Sequence, residues 1–265
     1  MPSPGPAAPP VDFVGAFAAV SAEFVTAART TDMAVPVKSC PGWTSYDLVC
    51  HLGNVHAWAA TIVETGRAAP ELEDHPGSRR ARTVAEWYLA KAEDLLAVLR
   101  AADPDSPCWT FSAGHRTAAF WPRRQTHETL VHLVDLHRCS GRTTHLPPAV
   151  AADGIAEVLE VFLPRMHARG FPARLEGPVL LEATDTGDSW LVTPATDGGP
   201  PVVGDPAELP GPFPVPRQRN GRDTDVVAGP AAALMLLLWK RLPGDNPAIT
   251  VHGDPGAFLA SPLTP

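Results

Sequence analysis

The chain has 265 residues, 45% of them hydrophobic, a mean hydropathy of −0.03, and a formal charge of −8 from 21 basic and 29 acidic residues. That length suffices for one large domain or two ordinary ones, each with a proper core. The acidic balance argues against a general nucleic-acid binder, whose footprint is a basic surface, and no basic amphipathic stripe suggests a membrane surface.

The first residues, "MPSPGPAAPP", lack the charged and apolar regions of a signal peptide and read as a flexible lead over 1–10. The longest apolar run, "AAALMLLLW" before Lys240, is far below a membrane span. A soluble, cytoplasmic protein is expected. Cys40, Cys50, Cys108 and Cys139 form no C-x-x-C pair and are expected as reduced thiols.

Apolar residues at Phe13, Val14, Phe17, Val20 and Phe24 recur at helical spacing and predict a first helix over about Val11–Thr30. A second lies in "PGWTSYDLVCHLGNVHAWAATIVETG", capped by Thr44 or Ser45, with Asp47 in its first turn and Gly66 at its end. The third, near "TVAEWYLAKAEDLLAVLRAAD", carries Val84, Trp87, Tyr88, Leu95, Leu96 and Leu99. The fourth is "FWPRRQTHETLVHLVDLHRCSG", where Pro122 suits the first turn and Gly141 stops the helix. Four amphipathic helices predict a four-helix bundle over residues 11–145.

Pro147 and Pro148 in "GRTTHLPPA" mark a boundary. A fifth helix is predicted around Val150–His167, followed by a hairpin of "GPVLLEAT" and "DSWLVTP" around the turn "DTGD". The segment "TDGGPPVVGDPAELPGPFPVPRQRNGRD" reads as a long irregular excursion. A buried helix in "AGPAAALMLLLWKRL" and a last strand in "AITVHGD" complete a small α+β domain over 146–265. The fold class predicted for the whole chain is α+β.

Residues four apart on a helix are separated by about 40° around its axis, and residues five apart by about 140°. Neither His127 and His132 nor His132 and His137 can therefore face one small ion, whereas Glu128 and His132 can, with Asp135 on the same stripe. On the second helix His51 lies within the stripe Leu48, Leu52, Val55, Ile62, and His56 lies elsewhere on the wheel. His51 with Glu128 and His132 makes a two-histidine, one-glutamate set, the pattern of a catalytic zinc site with one position open. A core histidine satisfied by a hydrogen bond, and a solvated helix face, would carry the same residues. Cys50 is adjacent to His51 and points about 100° away from it.

"SCPGWTSYDLVCHLGNVHAWAATIVETG" and "WTFSAGHRTAAFWPRRQTHETLVHLVDLHRCSG" resemble the mycothiol-dependent maleylpyruvate isomerase family, of the DinB/YfiT-like metalloenzyme superfamily. "DTDVVAGPAAALMLLLWKRLP" followed by "ITVHGD" resembles that family's second domain. The resemblance implies a DinB-like bundle holding a divalent metal, with zinc the expected ion, at His51, Glu128 and His132, and it implies that Asp135 orients His132. It also implies mycothiol as thiol cofactor or cosubstrate and a small-molecule electrophile as its partner. A zinc-bound thiol loses its proton at neutral pH. Addition to a cis double bond, rotation and elimination would give an isomerase, and the same attack ending at the thioether would give an S-transferase.

Arg123 and Arg124 could receive substrate carboxylates or be solvated. Gln125 stands where many relatives have an apolar residue, "GPAAAL" replaces a more polar start to the late helix, and the Pro-rich segment before Arg217 and Arg219 is distinctive. The alternatives are a zinc-dependent hydrolase using metal-bound water and a non-catalytic ligand-binding module.

Overall fold

The structure is a computed structural model that describes residues 11–204, 218–219 and 222–265. The predicted N-terminal lead and most of the Pro-rich excursion, Arg217 included, lie outside the described residues. By Cα packing the chain divides into two compact units. One runs to Trp109 and resumes over Thr117–Thr144; the other comprises Thr110–Arg116 and the chain from His145.

The first unit is four helices, α1 Phe13–Thr30, α2 Ser45–Thr65, α3 Ala81–Ala101 and α4 Phe120–Cys139. α1 packs on α3 and α4, and α2 packs on the same two. α2 begins as its sequence predicts. The Thr44 hydroxyl and the Asp47 carboxylate each take the other's backbone N–H, closing a capping box. It ends at Gly66, whose left-handed φ of 68° only glycine adopts at no steric cost. At Gly53 a Cβ would fall 2.3 Å from the Trp87 ring, so glycine there permits the close approach of α2 to α3. Phe17, Phe24, Leu48, Leu52, Ile62, Tyr88, Leu95, Trp121, Leu133 and Leu136 form the core, and burying each aliphatic or Phe side chain contributes about 1.5–3 kcal/mol.

α4 differs from its neighbours. Arg124, Gln125, Thr126, His127, Thr129, His132, Asp135 and His137 are all buried along it. A polar helix at the centre of a bundle must find a partner for each of those groups, and the candidate site grows out of those partnerships.

In the second unit α5 (Pro148–Glu157) runs into a π-helical turn, Val158–Phe162, and continues as α6 (Leu163–Ala168). The fifth helix was expected to be continuous. Pro164 has no N–H and its ring would clash with the carbonyl one turn back. The wider turn absorbs this, with the Leu163 N–H reaching the Val158 carbonyl five residues back. The predicted hairpin is present as β1 Val179–Ala183 and β2 Ser189–Thr193, antiparallel with Leu180 opposite Leu191.

The excursion holds more structure than its Pro and Gly content suggests. β3, Val202–Gly204, pairs with β2, and the short strands β4 Gln218–Arg219 and β5 Arg222–Asp223 pair with each other. β6, Asp225–Gly229, lies beside β1 in parallel, with Val179 opposite Asp225. α7 (Ala231–Leu238) returns over β1 and β6 and packs on α5, and β7 (Thr250–His252) pairs with β6. The sheet order is β3-β2-β1-β6-β7, and α8 (Gly256–Ala260) follows. Helices then a mixed sheet make the α+β class predicted from the sequence. No helix among the described residues is long and apolar enough to cross a membrane.

Candidate metal centre

α2 and α4 pack side by side, which brings His51 to the turn of α4 that carries Glu128 and His132. His51 Nε2 and His132 Nε2 each lie 3.4 Å from the same oxygen, Glu128 Oε1. The ligating atoms of the three residues are all within 4.8 Å of one another. A separation of 3.4 Å is long for a hydrogen bond. It equals the ligand–ligand edge of about 3.4 Å that a tetrahedral ion with bonds near 2.1 Å requires.

The other atoms of the two α4 residues are occupied. Glu128 Oε2 accepts from the Arg124 guanidinium at 2.7 Å, one helical turn away. His132 Nδ1 lies 3.1 Å from Asp135 Oδ2, and the Ser39 hydroxyl donates to Asp135 Oδ1 at 2.5 Å. With its Nδ1 turned to Asp135, His132 directs Nε2 toward Glu128. A histidine held by a carboxylate on its far nitrogen is the usual support for a metal-ligating imidazole.

The electrostatics agree. Burial would raise the Glu128 carboxyl, but Arg124, His132 and His51 outweigh it and hold it well below the ordinary range. Burial would lower His132, but Asp135 and Glu128 outweigh it and raise it. Glu128 is therefore an anion at neutral pH.

The loop before α2 completes the surroundings. Backbone bonds Cys40 N–H to Val37 O and Trp43 N–H to Cys40 O fold "VKSCPGW" into successive turns, with Gly42 at φ 88°. This fold places Ser39 on Asp135 and the Trp43 ring on His51, centroids 4.8 Å apart. Cys40 Sγ, 3.9 Å from Asp135 Oδ2, forms a second grouping with His132 and Asp135. That grouping faces Nδ1 of His132, the nitrogen Asp135 already holds.

His51 is the most open of the three, its side chain 35% exposed against 17% for Glu128 and 9% for His132. It borders a cavity of about 480 Å³ with Trp43, Asp47, Asn54 and Trp58. None of the four cysteines is in a disulfide, and burial raises the thiol pKa of Cys50, Cys108 and Cys139. Those three are poor nucleophiles.

Three readings of the sequence change. Arg124 was offered to a substrate carboxylate; it is 2% exposed and bound to the protein's own Glu128, a pairing legible as R-x-x-x-E on one helical face. Arg123 is half-buried, and helical spacing turns it about 100° from Arg124. His56, set apart on the wheel, is fully buried and bonds Gln125, Tyr88 and Thr129, while His51 sits at the edge of the bundle core. Ser39 and Trp43 escaped notice as site residues because they reach the site from a loop.

Four packed helices that bring a two-histidine, one-glutamate cluster together at mid-helix, in a chain that continues into an α+β unit, define a class of bundle proteins with a candidate metal centre. The sequence model of the mycothiol maleylpyruvate isomerase N-terminal domain matches residues 14–137, and that of the family's C-terminal domain matches residues 149–260. The chain belongs to the mycothiol-dependent maleylpyruvate isomerase family. Two solved structures similar to it are a mycothiol-dependent maleylpyruvate isomerase, at 16% identity and TM-score 0.58, and a histidine-to-alanine variant so named, at 14% and 0.59. Each match covers 91% of both chains, and at these identities it establishes the common fold alone. No curated protein sequence matches the chain.

Proposed function

We propose that this protein is a metal-dependent enzyme that uses mycothiol to act on a small electrophile, by cis–trans isomerisation or by S-transfer. The observation that carries the reading is the pair of imidazole nitrogens, each 3.4 Å from one oxygen of Glu128 whose other oxygen is bound to Arg124. His51, Glu128 and His132 would hold the ion, with zinc expected from two nitrogen donors and one oxygen donor. When bound, such an ion supplies Lewis acidity that favours the thiolate form of a thiol at its open position.

The chain's own residues do the rest. Arg124 keeps Glu128 ionised and aimed with one oxygen toward the histidines. Asp135, steadied by Ser39, fixes which nitrogen of His132 faces the site. The Trp43 ring lies against His51, tilted by 50° with centroids 4.8 Å apart. The family membership supports an isomerase that depends on mycothiol, and burial makes Cys50, Cys108 and Cys139 poor candidates for a nucleophile of the protein's own. Zinc-loaded protein should convert a cis-configured activated alkene such as maleylpyruvate to its trans isomer only when mycothiol is added. Hydrolysis of an ester or amide without thiol, and no thiol-dependent conversion of any electrophile, would overturn the reading.

A further inference from the structure

The grouping of Cys40, His132 and Asp135 brings donors of three kinds together from two parts of the chain. Cys40 comes from the loop before α2, and His132 and Asp135 come from one turn of α4. Asp135 Oδ2 stands between the other two, 3.1 Å from His132 Nδ1 and 3.9 Å from Cys40 Sγ. The three ligating atoms all lie within 4.8 Å of one another. A tetrahedral ion with bonds of about 2.3 Å to sulfur and about 2.1 Å to nitrogen and oxygen has ligand–ligand edges of about 3.3–3.6 Å. The two separations straddle that range.

The surroundings hold these donors in place. The Ser39 hydroxyl donates to Asp135 Oδ1 at 2.5 Å, which leaves Oδ2 turned to the other two donors. A turn closed by the Cys40 N–H on Val37 O, at 3.1 Å, fixes the cysteine in its loop. Asp135 and His132 are buried, and the half-buried Cys40 gives a path of entry from solvent. Sulfur beside imidazole and carboxylate favours borderline and soft ions, and the thiolate holds the softer ones most strongly. The centre at His51, Glu128 and His132 offers no sulfur.

His132 belongs to both groupings through opposite nitrogens, with Nε2 facing Glu128 and Nδ1 facing Asp135. An ion on Nδ1 draws electron density from Nε2 and repels a second cation there. We propose that Cys40, His132 and Asp135 form a second metal site, selective for thiophilic ions, and that filling it weakens the hold of His51, Glu128 and His132 on their own ion. On filling, the Cys40 thiol releases its proton to solvent, as does Nδ1 where it carries one, and the ion takes the place between Nδ1 and Oδ2. The antagonism rests on the reading of His132 as a ligand of the catalytic ion; the second site itself does not.

The test titrates cadmium into the full chain, thiols reduced, with and without prior zinc loading. Cadmium should produce a thiolate-to-metal charge-transfer band in the ultraviolet. The band should vanish in Cys40→Ser and persist in Glu128→Gln, which removes a donor of the first centre alone. His132→Ala should weaken the cadmium affinity read from the band about 10-fold or more. Cadmium should release zinc from the wild type at about 10-fold lower concentration than from Cys40→Ser. No band, a band that survives Cys40→Ser on another thiol, or an affinity untouched by His132→Ala would overturn the site. Loss of the band in Glu128→Gln, or equal zinc release from wild type and Cys40→Ser, would overturn the division into two antagonistic sites. Protein that gives the band and never holds zinc keeps this site and loses the catalytic centre; protein that holds zinc and gives no band loses only this site.

Discussion

Two histidines five residues apart on α2 meet the same helix, α4, under opposite conditions. His56 is fully buried. Its Nδ1 lies 2.7 Å from the Gln125 amide oxygen, which places the proton on Nδ1, and its Nε2 accepts from the Tyr88 hydroxyl at 3.1 Å. Burial pushes its pKa down to about 4. His51 is part-exposed on a cavity wall, and its Nε2 lies 3.4 Å from an ionised carboxylate shared with His132. One cluster is neutral, closed and satisfied by its own members. The other is charged, open on one side and spaced wider than hydrogen bonding prefers. Burial of a histidine on a helix face therefore does not single out a candidate ligand; spacing left over after hydrogen bonds are assigned does.

The contrast can be broken most sharply at α4. Glu128→Gln or His132→Ala should reduce mycothiol-dependent turnover on the order of 10³-fold or more, with the helical circular dichroism retained. His56→Ala should do the reverse. It leaves a cavity and strands the Gln125 and Tyr88 polar groups, costing about 3–5 kcal/mol in denaturant unfolding, while zinc stoichiometry stays that of the wild type.

The pH dependence sharpens the same difference. His56 is neutral in the fold, with a pKa near 4 against an ordinary 6.5, so below 6.5 the unfolded chain takes up a proton that the native state refuses. Its contribution to stability is fully present above pH 6.5 and is lost as pH falls toward 4, reaching about 2 kcal/mol by pH 5 and about 3 kcal/mol by pH 4. Acid titration of stability in wild type and in His56→Ala should differ by that amount over this window. A parallel pair of curves would mean that His56 is solvated. The smallest effect is expected at Asp135→Asn, which loosens His132 without removing a ligand. Zinc affinity should fall about 10–100-fold, read by competition with a chelator.

Much of this contrast was legible in the sequence, and the reasons for the remainder are physical. Helical spacing alone put Glu128 and His132 on one face and excluded His127 and His137 as partners of His132. The Thr44 cap and the Gly66 stop placed α2 correctly, because caps and left-handed glycines are local devices. Gln125 is polar on a buried stretch of α4, and the structure gives the reason in its bond to His56. That bond joins two helices, and sequence periodicity carries no information across helices. β6 was missed because "DVVAG" is short and follows a Pro/Gly-rich stretch; its strand character comes from parallel pairing with β1 over a long separation. The π-turn at Val158–Phe162 was readable in part, since Pro164 in a helical pattern demands some irregularity.

The central claim is that His51, Glu128 and His132 form a divalent-metal centre, and the most direct test is a zinc titration by calorimetry with elemental analysis of the dialysed protein. The wild type should bind one ion per chain through this site, and Glu128→Gln and His132→Ala should each lose that ion while His56→Leu keeps it. Wild-type protein that takes up no zinc, or ligand variants that bind it as tightly as the wild type, would contradict the account.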